Sequence, residues 1–230
     1  MSDLRAAVWR ALDTVLDPEL DEPVTGLGFV ESCTVSGDGV AAVVLRLPTF
    51  FCAPNFSFLM VADAYDAVSA VRGVTRADVT LADHHASAEI NGGVAAQAGF
   101  VDAFAGSYQG EATSELDELR RVFFRKAALA GQDRVARVLV DAGAGPEELA
   151  ATVLGGVAPS AELARMRHRR AVLGLPHGDG APLLVHADGT GVTAEQVPLH
   201  LRRARLQRVG IEANAAYCTG LLAKRYPAVP

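Results

Sequence analysis

The sequence predicts an α+β protein, with a small two-layer α-β-β-α-β domain over residues 1–85 and a mainly α-helical region over residues 114–230. Two observations predict this class. In the first part, β-branched runs separated by turn residues lie between segments whose apolar residues recur at helical spacing. In the last part, apolar spacing is almost wholly helical. Residues 86–113 are rich in Ala, Gly and Ser and predict an extended or partly helical linker.

The elements of the first domain follow from periodicity and turn chemistry. The apolar residues of one helical face are Leu4, Val8, Leu12 and Val15. This first helix must end near Asp17, because a residue before proline avoids the α conformation. A hairpin turn, Ser36-Gly37-Asp38-Gly39, joins two strands. The predicted order is helix, strand, strand, helix and strand, over residues 2–16, 29–35, 40–47, 55–71 and 74–81.

The C-terminal region predicts a series of helices separated by caps and prolines. Thr113 or Ser114 caps the first of them, and Thr193 with Gln196 forms a capping box before the last. Gly210 is expected to interrupt that last helix. The predicted helices cover residues 114–130, 133–142, a short stretch from 146, residues 161–173 and residues 193–225.

Composition and charge restrict the class of protein. The net charge of −6 argues against a nucleic-acid binder, and no apolar run reaches the roughly 20 residues that span a bilayer. Residues 1–90 hold five Lys and Arg against thirteen Asp and Glu, whereas residues 91–230 are slightly basic. Three cysteines are too few for a disulfide framework, and no signal peptide is evident. We therefore expect a cytoplasmic protein with reduced thiols and no membrane partner.

Cys52 is the first candidate for chemistry. It lies in a strand-to-helix loop just ahead of the helix predicted at Asn55. A helix N-terminus carries roughly half a positive charge, which favours the thiolate form that binds metals or attacks electrophiles. The alternative is a loop cysteine that packs beside phenylalanines. Cys33, within a strand, and Cys218, in a late helix, are expected to be packing residues.

Two further groups carry metal-ligand chemistry. Asp17, Glu19, Asp21 and Glu22 place four carboxylates in six residues, which suits ferrous iron or a hard cation, although such loops are commonly just solvated. His84 and His85 offer imidazole nitrogens, with ordinary polar loop residues as the alternative.

The familiar enzyme motifs are absent from the sequence. It contains no Walker loop, no G-x-G-x-x-G after a strand, no G-x-S-x-G, no H-E-x-x-H and no C-x-x-C pair. An ordinary Fe–S cluster with four thiolates from one locale is excluded, so any cluster would be transient, shared between subunits or held by mixed ligands. Two basic stretches, at residues 165–170 and 202–208, suit helix ends or an acidic protein partner.

The motifs taken in order resemble the PaaD/SufT family of iron–sulfur assembly domains. Asp17-Pro18-Glu19 is followed by Leu27-Gly28-Phe29-Val30, a hairpin, Thr49-x-x-Cys52, a helix that ends near Gly73 and a final strand. The resemblance covers residues 4–82. It implies that Cys52, with Thr49 beside it, binds iron or a transient Fe–S cluster, and that Asp17, Glu19, His84 and His85 are further metal ligands.

The chain also departs from the family pattern. Phe51 and Ala53 flank the cysteine where the family usually has Gly and Pro, and neither the Pro-Pro-Trp segment nor a cysteine-rich tail is present. The stretch from Asp83 to Gly93, with Leu116–Arg120 and Phe124–Ala127, is similar to longer actinobacterial members encoded beside soluble di-iron monooxygenases for propane and related substrates.

This second resemblance implies an accessory maturation factor that delivers a metal centre to a client metalloprotein, a di-iron hydroxylase or its reductase. The helical region would dock the client, and a homo-oligomer is left open. Two other functions are also left open. One is a non-catalytic protein that stabilises such a complex and in which Cys52 is structural, and the other is a thiol enzyme with Cys52 as nucleophile.

Overall fold

The computed structural model describes residues 2–105 and 116–227. The chain divides into two compact units, of which unit 1 comprises residues 1–118 and 214–230 and unit 2 comprises residues 119–213. The helices are α1 (Ser2–Leu12), α2 (Pro54–Ser69), α3 (Ser87–Ala95), α4 (Phe100–Phe104), α5 (Asp117–Asp141), α6 (Pro146–Ala151), α7 (Ala161–Val172) and α8 (Val197–Arg225). The strands are β1 (Val30–Val35), β2 (Val40–Arg46) and β3 (Arg76–Ala82).

Unit 1 is built on a three-stranded sheet in the order β1-β2-β3. The hairpin strands β1 and β2 are antiparallel, and β3 pairs parallel to β2 with Val79 opposite Val43. A parallel pair needs a crossover connection, which α2 provides. The α+β class and the α-β-β-α-β order predicted from the sequence are therefore confirmed.

The sheet buries one side of each strand. Ala77, Val79 and Leu81 alternate with exposed residues along β3, as the sequence predicts. Helix α2 contributes Val61 and Val68, both 0% exposed, to the same apolar core. This core fixes the β2–α2 connection between the sheet and the helix, and the candidate cysteine lies in that connection.

Helix α1 ends at Leu12, one turn before the predicted end. The Thr14 hydroxyl donates to the carbonyl of Ala11 at 2.7 Å, so it competes for a helical acceptor. Val15 is still buried, but it accepts a backbone hydrogen bond from Val24 across the acidic loop. The apolar spacing therefore identifies Val15 correctly as a core residue although it lies outside the helix.

Residues 87–104 differ from the predicted linker because they form α3 and α4 and belong to unit 1. Ile90 and Phe104 are at most 1% exposed in the same core as the sheet. At Gly93 a Cβ atom would lie 2.4 Å from the Cβ of Ala103, so glycine is needed for this close helix contact. Small residues that resemble linker composition are here packing residues. The predicted caps Thr113 and Ser114 lie outside the described residues.

Unit 2 is mainly helical, and its two long helices are less interrupted than predicted. Helix α5 is continuous where two helices were expected, and α8 continues through Gly210. Gln132 in α5 is 4% exposed and pairs with both the N–H and the carbonyl of Val185, at 2.8 and 3.2 Å. This pairing gives the helix a buried tertiary partner at the position where the sequence suggested a break. The predicted Thr193 capping box is present.

The two basic stretches contain both enclosed and exposed arginines; Arg202, Arg203 and Arg205 are exposed, and docking on an acidic partner stays a prediction. Arg169 and Arg170 at the end of α7 are at most 1% exposed. Arg208 of α8 is paired inside unit 2, where its Nε lies 2.7 Å from an Asp133 carboxylate oxygen. Among the described residues, no helix is long and apolar enough to cross a membrane.

A buried histidine makes unit 2 sensitive to acid. His200 is 8% exposed and its Nε2 lies 3.0 Å from the Gln132 Oε1. Burial, with a smaller effect from His186, lowers the pKa of His200 to about 4. The unfolded chain binds this proton more readily, so the contribution of His200 to stability is complete above pH 6.5 and is lost as the pH falls towards 4. We expect His200→Gln to lose less unfolding free energy than the wild type between pH 6.5 and 4.

Urea unfolding of the full chain across this pH range would measure the difference. His177→Gln is the matched control, because His177 is an exposed histidine of the same unit. If the unfolding free energies of the wild type and His200→Gln changed equally with pH, His200 would not be the group that makes unit 2 sensitive to acid.

Candidate functional site

The Cys52 loop connects β2 to α2 in unit 1. Pro54 occupies the first turn of α2, so Cys52 lies immediately before the helix cap residue Ala53. Cys52 is half-buried and free. The Thr49 hydroxyl accepts a hydrogen bond from Phe51 N–H at 3.2 Å and lies 3.4 Å from the Cys52 sulfur. The Thr49 hydroxyl therefore lies within hydrogen-bond reach of both the Phe51 N–H and the Cys52 sulfur.

His84 anchors this loop from the end of β3. Its ring is buried, its Nδ1 accepts from Ala86 N–H at 3.2 Å, and its Nε2 lies 2.7 Å from the Cys52 carbonyl. This network assigns the neutral tautomer in which Nε2–H donates to Cys52. Burial lowers the pKa of His84 and so favours this neutral ring. Both ring nitrogens are thus engaged inside the unit, and ligation by either would first break a hydrogen bond.

Asp83, the residue before His84, has an unusual backbone conformation. Asp83 adopts a positive φ of 50°, a conformation that non-glycine residues rarely take. Two contacts from the end of α8 hold it there. Arg225 donates to the Asp83 carbonyl at 2.5 Å, and the Tyr226 hydroxyl donates to its carboxylate at 3.1 Å.

His85 lies on the outer side of the same loop. Its Nδ1 and its backbone N–H both bond to the Phe50 carbonyl, at 2.9 and 3.1 Å. The rings of Phe50 and Phe51 lie 6.0 and 5.6 Å from its imidazole. Phe51 is 76% exposed, whereas Cys52 packs against the edge of the apolar core, so a packing role of Cys52 stays open. A role of His85 as a metal ligand stays a prediction.

The acidic loop is more than a solvated turn. Asp17 is 7% exposed, and its carboxylate accepts from the N–H groups of Glu19 and Leu20 at 2.8 and 2.9 Å. Burial raises the pKa of Asp17 to about 6, against the lowering effect of these two hydrogen bonds. Asp21 is also buried, with a positive φ of 56°, whereas Glu19 is exposed. Burial makes the negative charge of this carboxylate unfavourable, and a nearby cation would stabilise that charge.

Sequence reasoning did not include Cys218 in the site. Its pKa is raised to about 11, first by burial and then by the negative charges of Asp17, Cys52 and Glu19. The acidic loop and the Cys52 loop therefore act on one thiol of α8. Nothing in the sequence pattern could indicate this, because the proximity depends on where α8 ends in unit 1.

The donors do not form a finished cage for one ion. Within residues 2–105 and 116–227, no three His, Cys, Asp or Glu side chains are placed to hold a single metal. Thiol and carboxylate donors nonetheless match the chemistry of iron and iron–sulfur clusters.

Part of unit 1 matches a known protein family. Residues 5–79 match the family model described as iron-sulfur cluster assembly protein. This part of the chain is thus an assembly domain of the PaaD/SufT type, which confirms the resemblance seen in the sequence. No curated protein and no solved structure matches the chain.

The matched range includes part of the candidate site. Asp17, Glu19, Thr49 and Cys52 lie within residues 5–79, whereas His84, His85 and Cys218 lie beyond them. The family supports a role in iron–sulfur cluster assembly, and it covers no residue of unit 2.

Proposed function

We propose that unit 1 holds iron or an iron–sulfur cluster through Cys52 and passes it to a client metalloprotein. The observation that carries the proposal is a half-exposed thiol on an anchored loop inside the family-matched domain. The Thr49 hydroxyl lies within hydrogen-bond reach of the sulfur, and the His84 hydrogen bond fixes the Cys52 backbone. Asp17 supplies a buried carboxylate whose negative charge the positive cargo would stabilise.

A site with few metal ligands suits a protein that must release its cargo to a client. A structural metal site is closed by a full set of ligands, and its binding energy becomes folding energy. Unit 1 instead has an extensive apolar core of buried side chains. Cargo can therefore leave without unfolding the domain, which is what delivery requires.

We infer that the client is a soluble di-iron monooxygenase or its reductase, with unit 2 as the region that docks it. The stretch from Asp83 to Gly93 and its similarity to members encoded beside such enzymes support this client. Co-expression of the hydroxylase with and without the protein would test it. Iron per hydroxylase subunit should fall when the protein is absent, and equal iron in both preparations would exclude this client.

Loss of the thiol should abolish cargo binding while leaving the fold intact. We expect Cys52→Ala, purified without oxygen after reconstitution with ferrous iron and sulfide, to retain little iron compared with the wild type. Iron and acid-labile sulfide per chain are the measurements. Cys33→Ala is the control, because Cys33 is a free cysteine of the same unit and is only 4% exposed.

The same experiment decides between a carrier and a structural protein. If Cys52 only packs, its removal should lower the thermal midpoint by several degrees and leave iron unchanged. Equal iron in the wild type and Cys52→Ala would overturn the proposed function.

A further inference from the structure

Unit 2 contains a cavity of about 590 Å³ that is lined by α5, by α8 and by the chain between α7 and α8. All of its lining residues belong to unit 2, and none lies within the family-matched residues 5–79. Cavities of this size are typical of small-molecule sites in proteins. The iron cargo proposed for unit 1 does not account for this cavity.

One glutamine ties the walls of the cavity together. The Gln132 side chain of α5 pairs with the N–H and the carbonyl of Val185, and its Oε1 lies 3.0 Å from Nε2 of His200 in α8. Gln132, Val185 and His200 all line the cavity and are at most 8% exposed. Because these buried hydrogen bonds fix the three walls to one another, the cavity is formed before any ligand binds, which lowers the cost of binding.

The enclosed part of the lining is apolar. Ala128 and Val185 are at most 3% exposed, and Leu129 and Leu175 are half-buried. Hydrocarbon groups placed against these side chains would leave water, and each buried methylene group would favour binding. The cavity therefore suits a ligand with an apolar body.

The exposed part of the lining carries an excess of positive charge. Arg125, Lys126 and Arg203 contribute three cations, and Asp188 adds one carboxylate. The paired donors of a guanidinium match the two oxygens of a carboxylate. The negative charge of Asp188 disfavours the more highly charged phosphate esters that arginine also binds. A ligand with a single negative charge fits this edge best.

We propose that the cavity of unit 2 binds a small carboxylate with an apolar body. The hydrocarbon chain would lie against Leu129, Leu175 and Val185, and the carboxylate would lie at the edge that carries Arg203. Such a site gives the helical unit a binding function of its own, beyond the function proposed for unit 1.

Calorimetric titration of the full chain at pH 7 with butanoate, hexanoate and octanoate tests the proposal. We expect the affinity to rise roughly tenfold for every two methylene groups, because each is buried in the cavity. 1-Octanol has the same chain length without the charge and should bind at least ~10-fold more weakly than octanoate. No saturable binding of octanoate, equal affinities for the three carboxylates, or equal affinities for octanoate and 1-octanol would overturn the proposal.

Three surface variants locate the site. Arg203→Gln should weaken octanoate binding at least ~10-fold, since it removes a charged partner of the carboxylate. Arg202→Gln is the matched control, because Arg202 is the neighbouring exposed arginine of α8 and is not part of the lining. Ala187→Trp, at an exposed position of the lining, should fill the cavity and abolish binding.

Thermal midpoints near that of the wild type would show that these variants are folded, as expected for surface changes. Equal octanoate affinities in Arg202→Gln and Arg203→Gln, or a wild-type affinity in Ala187→Trp, would place the binding outside this cavity and overturn the assignment. No outcome depends on iron, so this proposal fails or holds independently of the function proposed for unit 1.

Discussion

Replacing Arg170 by alanine should destabilise unit 2 by about 3–5 kcal/mol, because it removes the donor to several buried carbonyls at once. Arg170 is 0% exposed. Its guanidinium donates to the carbonyls of Pro176 and Pro182, at 3.4 and 2.8 Å, and to that of Leu183. Burial, followed by the charge of Arg167, lowers its pKa only to about 10, so the group is a cation at neutral pH. Each acceptor left unsatisfied costs about 1–3 kcal/mol.

Urea unfolding of the full chain at pH 7 would measure this loss. Arg167→Ala is the matched control on the same helix, because its partner Asp179 has an 85% exposed side chain and such pairs contribute at most about 1 kcal/mol. Arg170→Lys should restore little, since one ammonium cannot replace a planar fork of donors. An Arg170→Ala chain as stable as Arg167→Ala would show that these hydrogen bonds are not needed for stability.

The arginines of α7 illustrate what sequence patterns can and cannot specify. The run from Arg165 to Arg170 fits a helix end or a docking surface equally well, because composition does not show which side chains are enclosed. Burial of Arg170 depends on the loop of residues 175–183 folding back over α7 and presenting its carbonyls. Such a tertiary contact produces no periodic pattern in the sequence.

Local elements were predictable where one local rule dominates. Three features each follow from a few neighbouring residues: the alternation in β3, the hairpin turn at residues 36–39, and the start of α2 within one residue of the predicted Asn55. The prediction failed where small residues serve packing, as at Gly93, and where a tertiary partner sustains a helix, as at Gln132. In both places the deciding contact is made by an element distant in sequence.

The candidate site shows the same division. The position of Cys52 before a helix and the family of its domain follow from motif order, and the family is confirmed. The engagement of both His84 nitrogens and the proximity of Cys218 to the acidic loop depend on β3 and α8. Roles of individual residues as ligands stay predictions that the variants above address.

Asp17→Asn should stabilise the cargo-free protein by roughly 3 kcal/mol at pH 7. Folding raises the pKa of the Asp17 carboxyl from 3.8 to about 6, mainly through burial, and each tenfold change in an ionisation constant corresponds to about 1.36 kcal/mol. Between these values the folded protein holds a proton that the unfolded chain has released. The free energy of unfolding therefore falls as pH rises from about 4 to 6, and the penalty is complete above that window.

Asparagine keeps the oxygen that accepts from Glu19 and Leu20 but carries no charge. The variant should therefore lack the loss of stability between pH 4 and 6, which urea unfolding at several pH values would measure. Asp66→Asn, at an exposed position of α2, is the matched control and should follow the wild type. A variant less stable than the wild type at pH 7 would contradict the expected gain.

Asp17→Asn should also weaken cargo binding, so stability and iron content are both informative for this variant. Ionisation of the buried Asp17 carboxylate costs stability, and a positive cargo would recover that cost by binding the ionised form. We therefore expect Asp17→Asn to hold less iron than the wild type after identical reconstitution, while it resists urea better. Greater stability with unchanged iron would mean that the Asp17 charge acts on the fold alone, and the carboxylate would leave the proposed site.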